Sequence, residues 1–315
     1  MRTPLARSNW LYKLLRIVTC CLFDATLSSN AHPGAQISNS PSSIAELGAR
    51  AESGDSAASQ YLVNFLLQAD ALAPGHDIAL AWVRSAASRN NPSAQLLLGY
   101  LYEHGRGVPC DYAKAAESYR QAALQGYALA QNNLANLYFH GYGIHKDVAR
   151  AFHLLLAAAQ QGLPIAQWNL GRAYYEGKGT PRDFSQAARW FRAAAERGNP
   201  EAQHDLAVLY LRGQGIPADY VEGAHWERLA AQQDDPDAET DLGYLYETGR
   251  GVPLNYVAAY AWYSRAAAAG QGLASKRRDS LSHLITSKQL TEASSFFDTG
   301  TFEPQLRTAE PKQKN

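Results

Sequence analysis

The sequence predicts an all-α chain, a solenoid of 36-residue helix-turn-helix repeats. Three observations carry that expectation. Alanine recurs at Ala58, Ala94, Ala130, Ala166, Ala202, Ala238 and Ala274, and every interval is 36 residues. Four positions after it comes leucine, at Leu62, Leu98, Leu134, Leu170, Leu206 and Leu242. Glycines recur in pairs, first at Gly105, Gly141, Gly177, Gly213 and Gly249, then two residues on at Gly107, Gly143, Gly179, Gly215 and Gly251. A fixed period of this size marks units that bury their apolar faces only against neighbouring units.

Within one copy the apolar residues follow a helical period twice. At 100° per residue, Ala94, Leu98, Leu101 and Tyr102 share an arc centred near Leu98, predicting a first helix that ends at Gly105. Glycine closes such a helix because it reaches positive φ without a Cβ clash. To one side runs a column of small residues, Gly99, Ala135, Gly171, Ala207 and Gly243, which lets another helix come close. Asp111, Asp147, Asp183, Asp219 and Asn255 then sit where a side-chain oxygen caps a second helix. That helix carries Ala187, Trp190, Phe191, Ala194 and Ala195 in one copy and stops at Gly198. Asn199 and Pro200 open the next unit as cap and first turn.

The pattern A-x-x-x-L-G-x-L-Y-x-x-G-x-G-V-P-x-D-Y-x-x-A, with W-Y-x-x-A-A and a closing glycine, resembles the Sel-one-like repeat (SLR) family of the tetratricopeptide-like superfamily. Ala94–Ala122 and Ala238–Ala267 carry nearly all of it. The resemblance implies a right-handed α-solenoid, SLR/TPR-like, of six repeats at 58–93, 94–129, 130–165, 166–201, 202–237 and 238–273. Some copies depart from the pattern. Residues 58–93 have Ala69 and Ala71 in place of the paired glycines. Leu154-Leu155 replaces the aromatic pair in 130–165, and Glu227 and Asp234 are off pattern in 202–237.

Around the repeats lie segments of other kinds. Arg2, Arg7, Lys13 and Arg16 precede a short apolar run from Ile17 to Phe23, and Ser29-Asn30-Ala31 offers a cleavage site. Residues 1–31 thus resemble a secretory signal peptide, with an anchor or a disordered tail as alternatives. If the segment is removed, Cys110 is the one cysteine left, which excludes intramolecular disulfides. A linker over 32–43 and a capping helix over 44–57 follow. Capping helices are expected over 274–298, where Lys276, Arg277 and Arg278 give a polar outer face, and a disordered tail over 299–315.

The 315-residue chain has a formal net charge of zero, so no basic face argues for nucleic acid. No stretch has the length expected of a membrane-spanning helix. Chemical motifs are scarce. Glu176-Gly177-Lys178-Gly179-Thr180 lacks the remaining residues of a phosphate loop and sits where five copies place a helix-ending turn. His104 and His140 share a column, but no Cys, Asp or Glu completes a metal set around them by sequence spacing, so no metal, cofactor or catalytic residue is expected. Asp234-Asp235 and Asp205/Asp241 are expected as caps and solvated faces, and the Trp82, Trp190, Trp226, Trp262 and Tyr102 columns as core. Trp168 stands alone in its column as an aromatic.

The expected function is a non-catalytic scaffold that takes a protein or peptide partner in a concave groove, acting as a monomer. The resemblance implies work in the bacterial envelope or outside the cell, periplasmic or secreted. Alternatives are a cytoplasmic or anchored adaptor, and a β-lactamase-like or penicillin-binding enzyme as described for cysteine-rich relatives. First-helix positions at plus two, six and nine from the alanine lie opposite the buried arc and vary most between copies. They nominate Tyr100, Asn132, Asn136, Phe139, Trp168, Arg172, Tyr175, His204 and Tyr244 as partner-binding residues.

Overall fold

A computed structural model describes residues 40–68 and 73–295. The expected signal segment, nearly all of the linker, the loop around Ala69 and Ala71, and the 299–315 tail lie outside the described residues. Among the described residues there are fifteen helices and no strand. Helix α1 (Pro41–Glu52) precedes a series of hairpins: α2 (Ser56–Gln68) with α3 (His76–Ser88), α4 (Pro92–His104) with α5 (Tyr112–Leu124), and α6 (Ala128–His140) with α7 (Val148–Gln160). Then come α8 (Pro164–Glu176) with α9 (Phe184–Ala195), α10 (Pro200–Arg212) with α11 (Tyr220–Ala231), and α12 (Pro236–Thr248) with α13 (Tyr256–Ala268). Helices α14 (Gly272–Ser282) and α15 (Ser287–Ser295) close the described chain. Helix α1 begins at Pro41, inside the stretch expected as linker, because Ser40 accepts a hydrogen bond from the Ser43 amide and Pro41 presets the first turn.

The chain divides into two compact units. The first runs to Ala166 and includes Lys178–Thr180, and the second comprises Gln167–Gly177 and the residues from Pro181 onward. In the first unit each helix from α1 to α7 packs on the next, and α1 also touches α3. In the second, successive helices from α9 to α14 pack in the same way, and α15 lies on α13.

The turns do what their residues dictate. Asp111, Asp147, Asp183, Asp219 and Asn255 each accept from an amide in the first turn of a second helix, at 2.9–3.1 Å. Asn91 and Asn199 do the same for first helices. The first glycine of each pair ends its helix in the left-handed region, as at Gly249 with φ +68°. The second glycine is held more tightly. A Cβ on Gly143 would lie 2.2 Å from the carbonyl carbon of Tyr112, and one on Gly251 would lie 1.9 Å from the Tyr220 carbonyl oxygen. The second glycine is therefore where one hairpin's loop meets the backbone of the hairpin before it.

The column of small residues has an equally concrete cause. A Cβ on Gly99, Gly171 or Gly243 would sit 2.5–2.7 Å from the ring of Tyr119, Phe191 or Tyr263. Those rings are 1% exposed or less and form the core of the second helices. This places the fully buried column one residue beyond the expected one. Trp262 is buried, but Trp82, Trp190 and Trp226 are only half-buried. Leu98 is half-buried as well, and Leu97 and Leu101 take the core of α4. The Tyr102 column is buried at Tyr138 and Tyr246 and half-buried elsewhere, with the Tyr138 hydroxyl accepting from Arg150 and the Tyr246 hydroxyl from Arg228.

The same polar ladder recurs within each unit. Buried Gln95, Gln131 and Gln203 each donate to a carbonyl of the preceding hairpin, Ala87, Ala123 and Ala195. Their own oxygens accept from Gln125, Gln161 and Gln233 at 2.8–2.9 Å. In the last copy Glu239 replaces glutamine and pairs with Arg265 Nε at 2.8 Å.

His76, the first residue of α3, makes the first unit acid-sensitive. It is 3% exposed, its Nε2 has no hydrogen-bond partner, and Gly107 packs directly on its ring. Burial lowers its pKa from the ordinary 6.5, with Asp77 opposing. The unfolded chain then takes up a proton that the folded chain refuses, so stability present above 6.5 is lost as pH falls through the folded value. Protection of α3 amides, taken relative to the intrinsic exchange rate at each pH, should fall between pH 7 and pH 5, and His76→Phe should flatten that dependence. An unchanged profile in the variant would assign the effect to other groups.

Candidate functional site

The nine nominated residues do not form one open face. Among the residues of the first unit, Asn136 is exposed and Phe139 half-buried, but Tyr100 is 7% exposed and Asn132 6%. Leu96, Thr240 and Leu67, from the same columns, are buried too. In the second unit Arg172 is exposed, and Trp168, Tyr175, His204 and Tyr244 are half-buried. The reason is that a first helix is flanked on more than one side. The Tyr119 hydroxyl crosses from α5 to donate to Glu103 on α4 at 2.6 Å, and Tyr263 does the same to Glu247. Successive first helices also touch through long side chains, as where Trp168 Nε1 donates to Asp205 at 2.7 Å. The face opposite the arc is thus partly filled, and only a narrow strip reaches water.

That strip is clearest on α8. The Arg172 guanidinium lies 5.2 Å from the centre of the Trp168 ring and pairs with Glu176 at 2.7 Å. Tyr175 meets Phe184 edge to face at 5.3 Å. Farther along the second unit, Arg277 stacks on Tyr244 at 4.9 Å, and Arg250 lies over both Tyr220 and Tyr244. Tyr220, Tyr244 and Arg250 also line a cavity of about 180 Å3, together with Leu211, Asp241 and Leu245. An aromatic and guanidinium surface of this kind offers flat contacts and forked hydrogen bonds, the chemistry of protein hot spots.

Next to it lies a polar cluster that the sequence does not announce. Glu227 is 0% exposed and stands in the fully buried column that otherwise holds Val83, Tyr119, Leu155, Phe191 and Tyr263. Its Oε2 lies 2.9 Å from Nδ1 of His204, while its Oε1 is buried without a hydrogen-bond partner. Ligand atoms of His204, Glu227 and Asp241 all fall within 4.8 Å of one another. His204 was expected on an open face and Asp205 and Asp241 as solvated, and each is drawn inward instead. Burial raises the carboxyls of Glu227, Asp205, Asp235 and Asp241. Burial alone would depress His204, but the hydrogen bond and charge of Glu227, with Asp235 and Asp241, reverse that and raise it. Sequence spacing misses the cluster because its members are 23 and 14 residues apart, on three helices of two hairpins. The signal that was available is Glu227, a charge in an apolar column.

A family model described as Sel1 repeat matches residues 92–127, 128–163, 164–199, 200–235 and 236–271. Among curated proteins none matches. The crystal structure of a protective antigen present in uropathogenic Escherichia coli strains, displaying an SLR fold, superposes with a TM-score of 0.70 at 32% identity. The match covers 81% of this chain and spans only 55% of that one. A Sel1 repeat protein from Oxalobacter formigenes superposes with a TM-score of 0.63 at 30% identity, covering 76% of both chains.

Proposed function

This chain belongs to the Sel1-repeat family, a class of scaffolds typical of protein–protein interaction, and on that premise we propose that it is a non-catalytic, monomeric adaptor. Its partner is a protein or peptide lying along the first helices of the second unit. The observation that carries this reading is the exposed Arg172 stacked on Trp168, with Tyr175 on the next turn of the same helix and Tyr244 two hairpins on. The same proposal takes 58–93 as a sixth, divergent repeat, since α2 and α3 pack as a hairpin there. It keeps Asn136 and Phe139 as contacts of the first unit and gives Tyr100 and Asn132, now buried, a packing role.

Arg172→Ala is the cleaner probe of the surface, because Trp168 is also tied to Asp205 and its removal would disturb the cluster. Affinity for the partner should fall by about tenfold or more while the helical content and melting temperature stay unchanged. Undiminished affinity in the folded variant moves the surface off α8. Nitrocefin turnover by the purified protein would instead favour the enzymatic alternative.

We place the site of action in the bacterial envelope or outside the cell. Residues 1–31 support this by their basic start, apolar run and small residues at Ser29 and Ala31. Both solved relatives come from bacteria, and one is a protective antigen. No helix among the described residues is long and apolar enough to cross a membrane. N-terminal sequencing should find a mature chain starting at His32, and a cytosolic product starting at Met1 would oppose this placement.

A further inference from the structure

The second unit holds a cluster that a simple scaffold does not need. We propose that His204, Glu227 and Asp241 form a binding site for a divalent transition-metal ion of the zinc type.

The donor set fits such an ion. One imidazole and two carboxylates give nitrogen and oxygen ligands, the combination that zinc and its neighbours accept. The ligand atoms lie within 4.8 Å of one another, and His204 and Glu227 approach to 2.9 Å. A tetrahedral ion with bonds of about 2.0–2.2 Å needs its ligand atoms roughly 3.4 Å apart. Side-chain rotation of about an ångström at His204 or Asp241, both half-buried, closes the difference without moving a helix.

The second line of argument is what the protein leaves unmet. Every other copy fills the Glu227 column with Val, Tyr, Leu or Phe, so the slot is an apolar one. Glu227 Oε1 is fully buried there with no hydrogen-bond partner, and the half-buried Asp241 carboxylate lies within reach of it. A buried carboxylate with an orphaned oxygen is costly unless a cation meets it. The His204 pair meets only the other oxygen. A metal ion would meet the Glu227 and Asp241 carboxylates at once. Access is provided as well, because Asp241 lines the cavity of about 180 Å3 on its far side. Water, or a group of the docked partner, can reach the ion from there and complete its coordination.

The test uses full-length protein stripped with chelator and titrated calorimetrically with zinc, then with cobalt to read the visible absorption of a bound ion. The expected result is one equivalent of zinc, bound at least about tenfold more weakly in Asp241→Asn and in His204→Gln. His104→Gln and His140→Gln, on exposed histidines of the first unit, should leave binding unchanged. Cobalt absorption should vanish in Glu227→Gln. If that variant fails to fold, Asp241→Asn carries the test alone, since Asp241 is half-buried rather than enclosed. Absence of saturable zinc uptake would overturn the proposal, as would an affinity insensitive to Asp241→Asn. Loss of binding in His104→Gln would assign the ion to surface histidines and overturn it equally.

Discussion

His204→Leu should destabilise the second unit by about 3–5 kcal/mol in metal-free buffer, and the double variant His204→Leu/Glu227→Leu should recover all of it. The single change strips Glu227 of its one hydrogen-bond partner while leaving a carboxylate that is 0% exposed. An uncompensated buried charge is among the costliest defects that a single substitution makes. The double change removes both charges and refills the slot. Leucine already stands in these two columns elsewhere, at Leu96 and Leu155, each 2% exposed. Replacing a buried pair with well-packed apolar groups is often neutral or stabilising by about 1–4 kcal/mol, so the double variant should match or exceed the parent. Denaturant unfolding of the four proteins gives the coupling directly. A loss below about 1 kcal/mol in the single variant would mean that Glu227 does not depend on His204.

Gly251→Ala should cost about 2–5 kcal/mol, adding the penalty of positive φ to that of overpacking. At φ +71° its Cβ would sit 1.9 Å from the Tyr220 oxygen, a backbone atom that cannot swing away. Gly249→Ala is the control. It shares the left-handed backbone, at φ +68°, but its Cβ would find nothing nearer than Leu254 Cβ at 3.4 Å. Its loss should stay near the conformational penalty of about 1–2 kcal/mol. Equal losses in the two variants would show that close approach of the hairpins adds nothing. In either variant, hydrogen exchange should rise first in α11, α12 and α13, because a repeat stack couples each hairpin mainly to its neighbours.

The contrast between these glycines shows what a repeat sequence reveals. Caps and turns are local chemistry, so Asp183, Asn199 and Gly213 could be assigned from residue type and spacing alone, and the structure places them as expected. The 36-residue period likewise shows which positions share an environment. It does not show what covers that environment. The period predicts an open arc opposite Leu98, yet Tyr100 and Asn132 are buried there, because side chains from second helices and adjacent first helices reach across. The period puts both Trp190 and Phe191 on the apolar side of the second helix, and the structure buries Phe191 and leaves Trp190 half-buried. Which neighbour faces the small residue Gly171 is a fact of packing, not of period. Gln recurs at 95, 131, 167 and 203, a polar column whose partners lie 30 residues on and become visible only in the fold. The cluster at His204 could be suspected only through Glu227, whose charge breaks an apolar column.

Photo-crosslinking in the native cell shows whether the first-helix strip of the second unit holds a protein partner. A photoreactive phenylalanine analogue placed at Arg172 on α8, and separately at Arg189 on α9, samples two exposed positions on the two helices of one hairpin. The account predicts a discrete protein adduct from position 172 and none from position 189. Adducts from position 189 alone would place the partner on the second helices and contradict it.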